Sequence, residues 1–157
     1  MGQESTIGSE IRKGIYLMLE YKTGIDVIDW ESLVDLYYET DGVIGLGRER
    51  NLPKIKEGFL KSYKVVTVWD GNKIVGAVRM ISDGVCYGWI HDMSIHPEYQ
   101  KKGIGKSLML KLMDGNESLL IGLTSAFGAE DFYHKLGFKK HKSAMAKYPG
   151  ESIYLED

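Results

Sequence analysis

Ile95-His96-Pro97-Glu98-Tyr99-Gln100-Lys101-Lys102-Gly103-Ile104-Gly105-Lys106-Ser107 is the stretch on which the fold turns. A strand ends, a basic turn follows, and a helix opens with two glycines. Glycines at a helix start let the backbone come close to a ligand and aim several N–H groups at one place. The helix N-terminus adds unpaired donors and partial positive charge. Lys101, Lys102 and Lys106 raise the local potential. Together these features suit a pyrophosphate.

Two better-known phosphate motifs do not fit. A Walker A loop has the form G-x-x-x-x-G-K-S/T, and Gly105-Lys106-Ser107 supplies its end, but its first glycine position is Gln100. A dinucleotide fingerprint has the form G-x-G-x-x-G, and Gly103-Ile104-Gly105 is followed by Leu108.

Upstream of the turn the pattern is β. Lys64–Trp69 is rich in valine, and Asp70-Gly71-Asn72 signals a hairpin. Lys73–Ser82 returns, Asp83-Gly84 marks another tight turn, and Val85–Ile95 is the third strand of a meander. Downstream, Ile104, Leu108 and Leu112 fall four apart, which predicts a helix over Gly103–Met113. Leu119–Leu123 reads as a short strand. Gly128–Leu136 reads as a helix with Gly137 just past its end. Phe138 and Ala144–Tyr148 read as short closing strands.

Nearer the N-terminus, Ile11–Tyr21 reads as a first strand. Asp26 and Asp29 can cap a helix from Trp30 to Glu39, whose apolar positions Trp30, Leu33, Val34 and Tyr37 recur at helical spacing. Asp41–Arg50 is a glycine-bearing loop, and Asn51 with Pro53 opens a second helix to Lys61. The predicted order is β-α-α-β-β-β-α-β-α-β. It closes with a βαβ unit on an otherwise antiparallel sheet.

The chain has 157 residues, enough for one domain with a real core, and a net charge of −2. That charge makes no case for nucleic acid or an anionic membrane. The single cysteine, Cys86, rules out an internal disulfide and points to a reducing, cytoplasmic setting. It is read as a small strand hydrophobe. No apolar run spans a bilayer and no signal-peptide core is present. Met1-Gly2-Gln3-Glu4-Ser5-Thr6 satisfies a permissive myristoylation pattern, but is read as a polar start. Residues 1–10 are expected to be disordered or extended, and residues 11–157 to form one domain. His96, His134 and His141 show no ligand spacing with carboxylates or Cys86, so no metal is expected.

Gln100-Lys101-Lys102-Gly103-Ile104-Gly105 matches Q/R-x-x-G-x-G/A, and it follows Asp92-Met93-Ser94-Ile95 directly. Downstream, Ala129-Glu130-Asp131-Phe132-Tyr133-His134-Lys135-Leu136-Gly137-Phe138 matches A-x-x-F-Y-x-x-L-G-F. In these two ordered blocks the chain resembles the GNAT (GCN5-related N-acetyltransferase) superfamily, over roughly Tyr63 to Tyr148. Ser62–Gly71 and Ser82–Val85 are similar to the plant and bacterial subgroup that includes serotonin-type N-acetyltransferases.

The resemblance implies an α/β (α+β) fold, with a mostly antiparallel sheet of six to seven strands flanked by four helices. It implies acetyl-CoA as co-substrate, with the pantetheine arm along Met93, Ser94 and Ile95. The pyrophosphate would lie on the turn from Gln100 through Lys101, Lys102, Gly103, Ile104, Gly105 and Lys106 to Ser107. Many family members carry Asn after the fifth strand. Here Thr124-Ser125-Ala126 stands there, so the hydroxyl of Thr124 or of Ser125, the latter taken as the site residue, could replace one hydrogen bond of that contact. The implied partner is a small-molecule amine, and a homodimer is compatible with the family.

Acetyl transfer to an amine requires a neutral amine, a polarised thioester carbonyl and a protonated leaving thiolate. Backbone N–H groups near Met93 could polarise the carbonyl. Tyr133 would be the acid, a phenol of ordinary pKa about 10 facing a thiol of about 8.5. Strand alternation puts His91, Met93 and Ile95 on one face and Asp92 and Ser94 on the other. His91 occupies a position similar to a catalytic histidine of arylalkylamine acetyltransferases, and titrates near neutrality. It and Asp92 are the two candidate bases, with Asp92 read as structural. Alternatives are a protein lysine or N-terminal acetyltransferase, and an acetyl-CoA-binding module without turnover.

Overall fold

A computed structural model of the chain describes the backbone of residues 5–12 and 15–157 and the side chains from Met18 onward. The chain groups into two compact units, residues 1–124 and residues 125–157.

The first unit is a sheet in the order β1-β2-β3-β4-β5-β6. Its strands are β1 (Ser5–Arg12), β2 (Ile15–Thr23), β3 (Lys64–Asp70), β4 (Lys73–Ser82), β5 (Tyr87–Ile95) and β6 (Leu120–Leu123). All neighbours are antiparallel except β5 and β6, which are parallel. Five strands, β2–β6, carry the site, and β1 extends the sheet at its far edge. The single first strand expected at Ile11–Tyr21 is therefore a hairpin whose second arm begins at Ile15. Residues 5–10, expected to be disordered or extended, lie in β1. The myristoylation pattern begins at Met1–Glu4, outside the described residues.

Three helices belong to this unit: α1 (Trp30–Thr40), α2 (Leu52–Leu60) and α3 (Ile104–Met113). Asp29 caps α1 by accepting from the Ser32 amide, and Asn51 caps α2 by accepting from Lys54. Both satisfy donors that a helix start leaves unpaired. Leu33, Val34, Leu36 and Tyr37 of α1 pack with Ile55 and Phe59 of α2 over Val65, Trp69, Ile74 and Ala77 of the sheet. Ile104, Leu108, Met109 and Leu112 bury the inner face of α3. A Cβ on Gly76 would come within 3.1 Å of Val68, Ile95 and Leu108 side-chain atoms, so α3 covers the face opposite α1 and α2. The β5-α3-β6 segment is the βαβ unit read from the sequence.

The second unit holds α4 (Glu130–Lys135). Phe127 stacks on Tyr154 with centroids 4.6 Å apart. The closing strands expected at Phe138 and Ala144–Tyr148 do not form: these residues are irregular. Pro149 cannot donate to a strand ladder and Gly150 weakens one, so the sequence stops pairing at the end of this segment. Cys86 is also placed differently. It is exposed in the turn before β5, where Asp83 accepts from the amides of Val85, Cys86 and Tyr87.

Candidate active site

The site begins at an irregularity in β5. Ala77 pairs with Ser94 and Arg79 pairs with His91, so the single residue Val78 of β4 faces two residues of β5, Asp92 and Met93. That is a β-bulge. Asp92 takes φ 56°, the left-handed conformation that glycine usually supplies in such a bulge. The extra residue shifts the alternation. His91 and Ser94 now share the face of Arg79 and Ala77, while Ile95, paired with Gly76, faces α3. The expected grouping of His91 with Met93 and Ile95 on one face is thus overturned, because strict alternation fails across a bulge.

Beside the bulge the sheet opens. β6 pairs with β5 only from Tyr87 to Ile90 and ends at Leu123. Residues 91–95 therefore have β4 on one side and no strand on the other among the described residues. An extended ligand arm can add to such an edge.

Two buried groups hold the bulge. The Tyr37 hydroxyl donates to the Asp92 carbonyl at 2.6 Å. Arg79 Nε donates to Asp92 Oδ2 at 2.6 Å, and its Nη1 donates to the Gly58 carbonyl at 3.1 Å and to Ser62 Oγ at 3.3 Å. Asp92 is thus tied up in a nearly buried ion pair, which fits the structural role and not that of a base. His91 is half-buried. Desolvation lowers its pKa, the Asp92 carboxylate opposes that shift, and Arg79 adds to it. The net shift favours the neutral imidazole, the form that can accept a proton.

The basic turn lies at the end of β5. Gln100 Nε2 donates to the Ile95 carbonyl at 3.0 Å, so Gln100 closes the turn onto the strand. Lys101 has φ 61° and Gly103, the N-cap of α3, has φ 80°. The first helical bond runs from the Ser107 amide to the Gly103 carbonyl at 3.1 Å. The amides of Ile104, Gly105 and Lys106 precede it, and Gly103 has no side chain to cap them. A serine or aspartate at this position would occupy one of those donors. The Ile104 side chain is buried, so only its backbone can face a ligand. Gly103 has nothing within 4 Å of where a Cβ would stand. The turn is open on that side, and it fits a pyrophosphate.

Tyr133 and Ser125 belong to the second unit. Tyr133 is half-buried between Phe132 and Phe138, edge to face with both. Burial raises its pKa above the ordinary phenol value. Ser125 is half-buried in the irregular segment before α4.

The GNAT acetyltransferase domain matches residues 61–140, half of the chain. The chain belongs to the GNAT acetyltransferase family. GNAT enzymes are acyltransferases with acetyl-CoA as co-substrate. The chain is 32% identical over 138 residues to GCN5-related N-acetyltransferase 2, chloroplastic, of Arabidopsis thaliana, covering 73% of this chain and 50% of that protein. It spans only half the length of that relative. It is 28% identical over 111 residues to glucosamine 6-phosphate N-acetyltransferase of Schizosaccharomyces pombe, covering 63% of this chain and 99% of that protein. Among solved structures, a GNAT family acetyltransferase from Streptococcus pneumoniae superposes with a TM-score of 0.68 at 20% identity, covering 85% of this chain and 100% of that one.

Within this GNAT domain the first unit brings His91, Met93, Ser94, Ile95 and the 100–107 turn onto one continuous run of backbone. The loop between α1 and α2 is less open than its composition suggests. Tyr37, at the end of α1, is buried. The Arg50 guanidinium covers the ring of Tyr38 at 4.4 Å. Arg48 pairs with Asp41 at 2.8 Å and Arg50 with Asp35 at 2.7 Å. An incoming ammonium group would compete with guanidinium groups there. The residues that sequence reasoning missed are Arg79 and the hydroxyl of Tyr37. The available signal was Asp92 itself, since aspartate is depleted inside strands.

Proposed function

We propose that the protein transfers the acetyl group of acetyl-CoA directly to a small primary amine. The open edge of β5 beside an uncapped, glycine-opened helix carries this reading. Backbone donors serve both ends of the donor molecule: strand amides for the pantetheine, and amides 104–106 for the pyrophosphate. Lys101, Lys102 and Lys106 add positive charge to that turn.

In the reaction the amine nitrogen attacks the thioester carbonyl carbon. The C–N bond forms and the C–S bond breaks. The carbonyl oxygen draws on a backbone N–H at the Met93 bulge, where charge develops. Tyr133 gives its proton to the departing thiolate. Its raised pKa makes it a weaker acid than a free phenol and favours the protonated form that a general acid needs. His91 takes the proton from the amine, directly or through one water. Ser125 would hold the pantetheine in place of the family's asparagine.

For the acceptor, the serotonin-type likeness and the geometry point the same way. Trp89 is partly exposed, two residues from His91. It pairs with Ile81 as His91 pairs with Arg79, so ring and imidazole share a face. A primary amine on a compact, partly apolar body, such as an arylalkylamine, suits that surface. The reducing compartment implied by the single cysteine is the cytoplasm. Among the described residues no helix is long and apolar enough to cross a membrane.

The test is a screen of amines and peptides with acetyl-CoA, following release of the free CoA thiol. Turnover of tryptamine-like amines supports the reading. Turnover confined to polyamines, aminoglycosides or histone-like peptides overturns the choice of acceptor. CoA release with no acceptor among them overturns the transferase reading.

A further inference from the structure

We propose that Tyr37 is a positioning residue for acetyl transfer, holding the Asp92–Met93 bulge in its left-handed form from beneath the sheet; this rests on the acetyl-transfer reading above. Three observations carry it. First, Asp92 sits at φ 56°. A non-glycine residue there is strained by about 1–3 kcal/mol and persists only where its surroundings over-determine it. Second, the surroundings do so from both ends of the residue. The Tyr37 hydroxyl holds its carbonyl at 2.6 Å, and Arg79 holds its carboxylate at 2.6 Å. Arg79 in turn is anchored to the end of α2 through the Gly58 carbonyl and Ser62 Oγ. Third, Tyr37 is fully buried, and its pKa is raised well above the ordinary value, chiefly by desolvation and then by Asp92. The hydroxyl is held out of solvent, and both shifts favour its protonated, hydrogen-bond-donating form.

Tyr37 also bears the loop between α1 and α2. A Cβ on Gly42 would meet the Tyr37 ring at 2.3 Å, and one on Gly47 would meet the Tyr37 carbonyl at 2.3 Å. The loop backbone rests on the tyrosine because those two positions are glycine. The same loop holds Asp41, Val43 and Ile44 at positive φ. Two of these are β-branched residues, for which that conformation is a true outlier. Tyr37 therefore stands between a strained loop and a strained bulge, and touches the backbone of both. Removing its hydroxyl frees the bulge carbonyl without emptying the core.

The bulge amide acts on the thioester oxygen only as charge develops, so its misplacement should lower kcat and leave donor binding intact. Tyr37→Phe is the test, with amide hydrogen exchange at Met93 followed by NMR beside steady-state kinetics. Expected are a kcat reduced about ten-fold or more, a KM for acetyl-CoA within about two-fold of wild type, and faster exchange at Met93. Arg79→Lys, which keeps a cation for Asp92 but loses the fork, should fall between. Wild-type kcat and wild-type Met93 exchange in Tyr37→Phe would overturn the proposal, whatever the change in Tm. A wild-type protein that neither binds acetyl-CoA nor releases CoA would overturn the transferase reading instead. Met93 exchange would then decide the clamp alone.

Discussion

Under the proposed function Tyr133 would be the acid and His91 the base, and each proposal predicts a separate kinetic mark. Tyr133→Phe removes one hydroxyl and almost no volume, and the ring keeps its edge-to-face contacts with Phe132 and Phe138. Loss of the general acid should cost about 10²-fold in turnover with acetyl-CoA affinity unchanged. Normal turnover on a verified acceptor would reduce Tyr133 to a packing residue. His91 is pushed below the ordinary imidazole value of about 6.5. As a base it works only when neutral, so activity should be complete at pH 7 and fall as the pH drops through that lowered pKa. His91→Gln should remove this acidic limb from the pH–rate profile. A limb that survives belongs to another group or to the acceptor. Asp92 is no rival, since its carboxylate is committed to Arg79.

At the level of elements, two kinds of glycine separate cleanly. Gly103 sits at φ 80° with open space around it, whereas Gly42 has a tyrosine ring where its Cβ would be. Gly103→Ala should lose about 1 kcal/mol of stability through the left-handed backbone, measured as a lower midpoint in urea. Gly42→Ala should lose more, because the ring of Tyr37 cannot retreat from the core. A smaller effect at 42 than at 103 would contradict the placement of the loop on Tyr37. The helices and the meander were legible in the sequence because their signals are local. Asp29 and Asn51 cap, Gly71 turns, and Ile104, Leu108 and Leu112 recur at one spacing. The bulge was not legible. Its register depends on Ala77 and Arg79 across the ladder, and one inserted residue reverses the faces of everything beyond it. The closing strands expected at 138 and 144–148 are irregular in the fold, since runs this short do not separate strand from loop.

For the molecule as a whole, the Gln100–Ser107 turn and the open edge of β5 lie on one run of backbone in the first unit. The glycine-bearing basic turn was visible because its residues are contiguous, from Gln100 to Ser107. The Tyr37–Asp92–Arg79 clamp was not, since its members lie on α1, β4 and β5 and meet only in the fold. A net charge of −2 means that attraction for an anionic donor is a local property of the turn. A single acidic substitution there should therefore suffice to abolish it. Gly105 lies in the first turn of α3, among the uncapped amides, so under the proposed function a side chain there would stand beside the bound phosphate. The most direct measurement is calorimetric titration of acetyl-CoA into the wild-type protein and into Gly105→Glu, with circular dichroism showing both folded. The expected result is saturable binding to the wild type and affinity at least ten-fold weaker in the variant, about 1.4 kcal/mol. Equal affinity in the two proteins, or no binding to the wild type, would contradict the assignment of the Gln100–Ser107 turn as the acetyl-CoA site.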